Sequence, residues 1–133
     1  MVYIYPATIQ HEDDGRVSIW FEDLPGCATF GNTLAEAITM ARDAMGGWLD
    51  VALSDGLSIP SPRSARDLPL EGNQESALID IDLDAYRRDN DIRSISRTVT
   101  LPAWLNSRAQ KAGMNFSAIL QAALKRELRI TEA

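Results

Sequence analysis

A strand followed by two helices is packed into the stretch from Ser94 to Leu128, and a segment that short cannot close a hydrophobic core alone. From Ser94 to Leu101, Ser96, Thr98 and Thr100 alternate with Arg97, Val99 and Leu101. That period of two predicts a strand with one polar and one mostly apolar face. A lone strand leaves its own N–H and C=O groups unpaired. Pairing with the same strand of a second copy satisfies them, which predicts an isologous dimer carrying a two-stranded ribbon.

Pro102 suits the first position of a helix, where a missing N–H costs nothing. Leu101, Trp104, Leu105, Ala109 and Ala112 then recur on one helical face, and Gly113 is expected to end that helix. Asn115 is the expected N-cap of the next helix, with Met114 and Ile119 at the spacing of a hydrophobic staple. Ile119, Leu120, Ala123, Leu124 and Leu128 supply its apolar face.

Strand, Leu-Pro, helix, Gly-x-Asn-x-Ser, helix resembles a ribbon-helix-helix DNA-binding domain. The wording Thr-x-Thr-Leu-Pro-x-Trp-Leu, then Asn-Phe-Ser, is similar to the C-terminal part of HicB antitoxins. The resemblance implies that the ribbon enters the major groove and presents Ser96, Thr98 and Thr100 to base edges. Hydroxyls and threonine methyls read bases less sharply than Arg, Asn or Gln, so this ribbon departs from relatives that place longer donors there. Arg97 has core parity but lies near the strand start, within reach of a phosphate. The N-terminus of the second helix, at Asn115, Phe116 and Ser117, offers backbone N–H groups and a positive dipole end to another phosphate.

Charge divides the chain in the same place. Residues 91–133 hold seven Lys or Arg against three Asp or Glu, so the net −6 of the whole chain leaves −10 for residues 1–90. A basic module suits phosphate backbones, and an acidic one suits a basic protein partner. A chain of 133 residues with 45% hydrophobic content is globular, one domain or two small ones. No apolar run reaches the ~18 residues of a membrane helix, and no basic-then-apolar leader is evident, so neither membrane nor export is implied. One cysteine cannot form an internal disulfide, which fits a reducing cytoplasm.

The first 90 residues predict an α+β layer. Tyr3–Gln10 and Arg16–Phe21 read as strands joined by the polar turn His11–Gly15, with Pro6 favouring an edge position for the first. A turn at Asp23–Cys27 leads to a short strand, Ala28–Phe30. Thr33 with Glu36 three residues on predicts a capped helix whose Leu34, Ile38, Ala41, Met45, Trp48 and Ala52 face the sheet. Gly46-Gly47 inside it marks either a close approach or a kink. Ser54–Asn73 is a surface-wrapping connection, Ala77–Leu83 a fourth strand, and Asp84–Ile92 the domain boundary with a short helix around Tyr86. The segment from Asp23 to Ala37, followed by Gly56-Leu-Ser-Ile-Pro-Ser-Pro, again resembles HicB, whose N-terminal domain is described as a partial, inactive RNase H-like fold. The expected organisation is therefore an RNase H-like domain over 1–90 and a ribbon-helix-helix domain over 91–133.

Asp23, Glu36, Asp43 and Asp50 are the carboxylates to nominate for a metal-dependent nuclease. Three of them sit seven apart on one helix face opposite the apolar stripe, whereas a two-metal site needs groups converging from several elements. His11 and Cys27 are single, so neither a Cys/His dyad with an orienting group nor a closed soft-metal site is available. The expectation is no catalysis, no metal and no cofactor. By resemblance, a HicB protein neutralises HicA, a small basic RNA-cleaving toxin, and represses its own operon as a homodimer, with tetramers left open. Glu36, Asp43 and Asp50 are then the candidate toxin contacts. The alternative is a ligand-responsive repressor with the same DNA domain and no toxin partner, since apolar pockets leave no short motif.

Overall fold

Alternating apolar residues build four strands in the first part of the chain: β1 (Val2–His11), β2 (Val17–Trp20), β3 (Ala28–Gly31) and β4 (Gln74–Asp82). All pair antiparallel in the order β3-β2-β1-β4. The β1–β2 hairpin turns at Gly15, whose φ of 91° is open to glycine without strain. This computed structural model describes residues 1–130, so the last three residues of the expected second domain, 131–133, lie outside the described residues. The chain divides into the units Met1–Ile92 and Arg93–Ala133.

Pro6 does not place β1 at an edge; β1 is an interior strand. Register explains how proline is carried there. β2 pairs only with Thr8–His11, so at Pro6 a ladder exists on the β4 side alone, opposite Leu78. The missing N–H therefore interrupts no bond to β2. β4 also begins earlier than its apolar run suggests, because Gln74, Glu75 and Ser76 extend the ladder with β1.

The helix α1 (Leu34–Ser54) lies against one sheet face. It starts where Thr33 Oγ1 accepts the Glu36 N–H at 3.1 Å, the bond a capping threonine supplies. Ala41, Met45 and Ala52 are buried as their spacing requires, joined by Ala37 and Leu49, whereas Leu34 stays exposed at the first helical position. Tyr5, Ala7, Ile9, Val17, Ile19, Ile79 and Ile81 meet this face from the sheet. The helix runs unbroken through Gly46-Gly47, so the pair is a close approach and not a break. A Cβ on Gly46 would stand 2.5 Å from Ile81 Cδ1 and 2.6 Å from Tyr86 Cδ2.

Tyr86 reaches that point from α2 (Leu83–Asp89), which Asp82 caps through bonds from the Asp84 and Ala85 N–H groups. The connection 55–73 is strapped down as its length suggests. The Tyr5 hydroxyl donates to the Pro60 carbonyl, Leu68 is buried, and Arg63 donates to Asp23 from both its backbone N–H (3.1 Å) and its Nε (2.8 Å).

In the second unit, α3 (Ala103–Lys111) and α4 (Phe116–Glu127) flank a tight turn. Pro102 is the N-cap, with an extended ψ of 140°, and not the first helical residue; the helical ψ begins one residue later. Gly113 ends α3 with φ 68°, and the Met114 N–H returns to the Ala109 carbonyl at 3.1 Å. Asn115 Oδ1 accepts the Ala118 N–H at 3.1 Å, capping α4. The strand expected over Ser94–Leu101 is not formed: residues 93–102 make no ladder among the described residues. A ladder needs a second strand, and the described elements of this unit are helices.

Candidate partner and nucleic-acid interfaces

Each amphipathic element leaves one surface over once its core face is buried, and these surfaces are the candidate sites. On α1 the row opposite the sheet carries Glu36, Asp43 and Asp50. Glu36 and Asp43 are exposed, whereas Asp50 accepts the Arg87 Nε–H at 2.6 Å from α2. Burial raises the Tyr86 phenol pKa first, and the charges of Asp43 and Asp50 beside it push the same way. The helix-spacing argument thus brings the three carboxylates onto one face, and the tertiary structure commits one of them to an internal ion pair.

Asp23, the fourth carboxylate, is also committed. Its side chain is 8% exposed and engaged by Arg63. No group of three or more His, Cys, Asp or Glu side chains that could hold a metal ion occurs among the described residues. His11 Nε2 lies 2.8 Å from Glu75 Oε1 on the sheet, in an exposed pair. Cys27 is buried apart from it, and burial pushes its thiol up to about 11, which favours the protonated thiol.

Beside the acidic row, α1 carries an apolar flank that spacing alone did not single out. Ala44, Gly47, Trp48 and Val51 face Gly26, Cys27 and Ala28 and, with Leu57, line a cleft of about 460 Å³. Trp48 is fixed there by donating its indole N–H to the Pro25 carbonyl at 3.0 Å. The signal was present in the sequence as Met40, Ala44, Gly47 and Val51, a row of small and apolar residues one step around the helix from the core row.

In the second unit, Val99, Leu101, Leu105, Ala109, Phe116 and Ile119 are among the residues around an apolar groove of about 400 Å³. Only Ala109 of the described residues there is buried, and no residue of α4 is. Arg97 lines this groove beside Val99 and Leu101, and like Ser96, Thr98 and Thr100 it is exposed. Phe116 and Ser117 also border the groove. Trp104 turns away from it and carries the Arg108 guanidinium 5.5 Å above its ring.

An antiparallel sheet backed by one long helix, followed by a separate helix pair with an exposed apolar groove, defines a two-unit α+β protein. Among the described residues no helix is long and apolar enough to cross a membrane.

The chain belongs to the HicB-like antitoxins of bacterial toxin-antitoxin systems, whose family model matches residues 5–124. Antitoxin HicB 2 of Photorhabdus laumondii is 36% identical over 58 residues, covering 44% of this chain and 41% of that protein. Antitoxin HicB of Escherichia coli K12 is 34% identical over 65 residues, 47% of each. The chain thus spans about half or less of these curated relatives' length. Among solved structures, a toxin-antitoxin complex from Streptococcus pneumoniae superposes with a TM-score of 0.57 at 22% identity, covering 96% of this chain and 99% of that one. The Burkholderia pseudomallei antitoxin HicB gives 0.55 at 18% identity, over 92% and 96%. A complex of HicA3 and HicB3 gives 0.51 at 28% identity, over 60% and 99%. At the lower identities the likeness is one of fold.

Proposed function

We propose that this protein neutralises a small basic HicA-type RNA-cleaving toxin by covering the toxin's active site, with no chemistry of its own. Its first unit, read as a partial RNase H-like domain, holds the toxin, with Glu36 and Asp43 as the available acidic contacts and Asp50 behind them in its pair with Arg87. Its second unit, read as a ribbon-helix-helix domain, dimerises and binds the operator of its own operon. The observation that carries the toxin reading is the family match across residues 5–124. The acidic balance of residues 1–90 agrees with it, since opposite charge speeds and orients the encounter.

The DNA reading draws support from the second unit. Its apolar groove is lined by exposed Val99, Leu101, Leu105 and Ile119, and the 94–101 segment beside it forms no ladder among the described residues. A second copy covers the groove and pairs the segment at once. In such a dimer Ser96, Thr98 and Thr100 project from the ribbon toward bases, and the α4 N-terminus at Asn115, Phe116 and Ser117 approaches a phosphate. Arg97, drawn into the groove wall, contributes more to the dimer than to the phosphate backbone.

Co-expression with the small basic protein encoded beside this chain tests the first half. Co-purification and loss of the toxin's RNA cleavage are expected; an unbound toxin, or RNA cleavage by this chain itself, refutes it. A gel shift of the upstream DNA tests the second half. Leu105→Arg, placed in the groove, is expected to give a monomer that no longer shifts DNA yet still binds toxin. A Leu105→Arg protein that shifts DNA as well as wild type refutes the dimer reading.

A further inference from the structure

We propose that the apolar cleft between α1 and the Gly26–Ala28 segment, on the helix whose outer row carries Glu36 and Asp43, is the seat of the basic protein partner, which inserts an apolar side chain flanked by Lys or Arg. The proposal rests on the toxin reading above and assigns the surface that does the work.

The cleft is built to receive something. Its walls are small (Gly26, Ala28, Ala44, Gly47), and its rim carries large apolar side chains that no part of this unit covers. Val51 is 60% exposed and Leu57 61%, and Met40 extends the same helical flank at 46%. Small walls with exposed aliphatic rims form a pocket for an anchor residue, the element that dominates affinity at protein interfaces. Trp48, pinned through its indole N–H to Pro25, gives the pocket a rigid wall.

Charge selects the occupant. On the helix surface Glu36 is four residues before Met40, and Asp43, which also borders the hollow toward Tyr86, is four before Gly47, so the acidic row runs beside the apolar flank without lining the cleft itself. The last turn of α1 contains no basic residue, and Asp55 follows it, so the cleft's far end also carries negative potential. Of the cations here, Arg42 on α1 itself is held by Asp80, and Arg87 meets Asp50 and Ser54 from α2. A second copy of this acidic unit would be repelled, whereas a basic protein gains both apolar burial and complementary charge. The opposite face of the sheet is the rival surface, with Ile4 50% and Leu78 65% exposed. It holds a hollow of about 490 Å³ among Glu12, Arg16, Trp20 and Phe30, but the Arg16 guanidinium lies over the Phe30 ring there, a cation that a basic partner would avoid, and Asp80 on this face is already met by Arg42.

The test uses the full chain and the small basic protein encoded beside it, with binding measured by calorimetry at two salt concentrations. Val51 and Leu57 are exposed, so Val51→Arg/Leu57→Arg is expected to melt like wild type and to bind about 100-fold more weakly. Glu36→Lys/Asp43→Lys is expected to weaken binding about tenfold and to flatten its salt dependence. Ile4→Arg/Leu78→Arg is expected to bind as wild type does. The proposal falls if the cleft variant binds normally, or if the sheet-face variant is the one that loses affinity; either outcome leaves the toxin reading intact. Failure of the wild-type protein to bind removes both.

Discussion

Gly46→Ala and Gly47→Ala alter adjacent positions of one helix and are expected to act with opposite sign. Each alanine gains about 1 kcal/mol of helix propensity, so that contribution cancels when the two variants are compared. What remains is packing. At Gly46 the new methyl meets Ile81 Cδ1 at 2.5 Å and Tyr86 Cδ2 at 2.6 Å, about 1 Å inside normal carbon contact. Relief requires displacing a buried Ile81 and turning out the Tyr86 ring, and overpacking of this kind costs about 1–3 kcal/mol. At Gly47 the nearest atom is Tyr86 Oη at 3.3 Å, which gives way easily. The two variants should therefore differ by about 1–3 kcal/mol, with Gly47→Ala the more stable. For a unit of this size that is a gap of at least about 4 °C in melting temperature.

Urea unfolding in a Trp104→Phe background reads the first unit alone, because the remaining tryptophans, Trp20 and Trp48, both lie in it. Shortening the ring with Tyr86→Leu should remove most of the Gly46→Ala penalty, and the double-mutant cycle should show coupling of about 1 kcal/mol or more. Equal stabilities for the two alanine variants, or a Gly46→Ala protein more stable than wild type, would refute the close-approach explanation.

The remaining expectations are quicker to check. Cys27, its thiol raised from 9.0 to about 11 by burial, should react with iodoacetamide at pH 8 at least about 100-fold more slowly in the folded protein than in urea; equal rates would contradict it. Because the folded thiol holds its proton above the pH at which the unfolded one releases it, this site's contribution to stability is lost as pH rises from about 9 toward 11. Asp23→Ala removes the acceptor of both Arg63 bonds, with an expected cost of about 1–3 kcal/mol. It should open the 55–73 connection to trypsin at Arg63 and Arg66, and an unchanged digestion pattern would show that the strap is held by Tyr5 and Leu68 instead. Asn115→Ala should cost about 1 kcal/mol through loss of the α4 cap, measured as reduced melting temperature of the second unit.

Local chemistry was legible wherever it acts over a few residues. The caps at Thr33 and Asn115, the helix stop at Gly113, the β1–β2 hairpin and the apolar row from Ala41 to Ala52 follow from short-range periodicity and hydrogen bonding, which spacing records directly. Positions that depend on a distant partner were not. Pro6 argues for an edge until the register shows β2 beginning only at Thr8, and Gly46-Gly47 is ambiguous until Tyr86 arrives from a segment 40 residues later. Among the acidic candidates, spacing put Glu36, Asp43 and Asp50 on one face. Arg87 then withdrew Asp50, and the Gly26–Ala28 segment before α1, with Leu57 after it, turned the neighbouring apolar flank into a cleft.

By itself, then, the sequence determined the kind of most elements, their caps, and the division into an acidic and a basic half, because all of these are set by composition and by neighbours within a turn or a strand. The tertiary structure alone decided which strand is interior, which carboxylates remain available and where an apolar cleft opens beside them, because each of those depends on side chains brought together across tens of residues, where no local pattern encodes the contact.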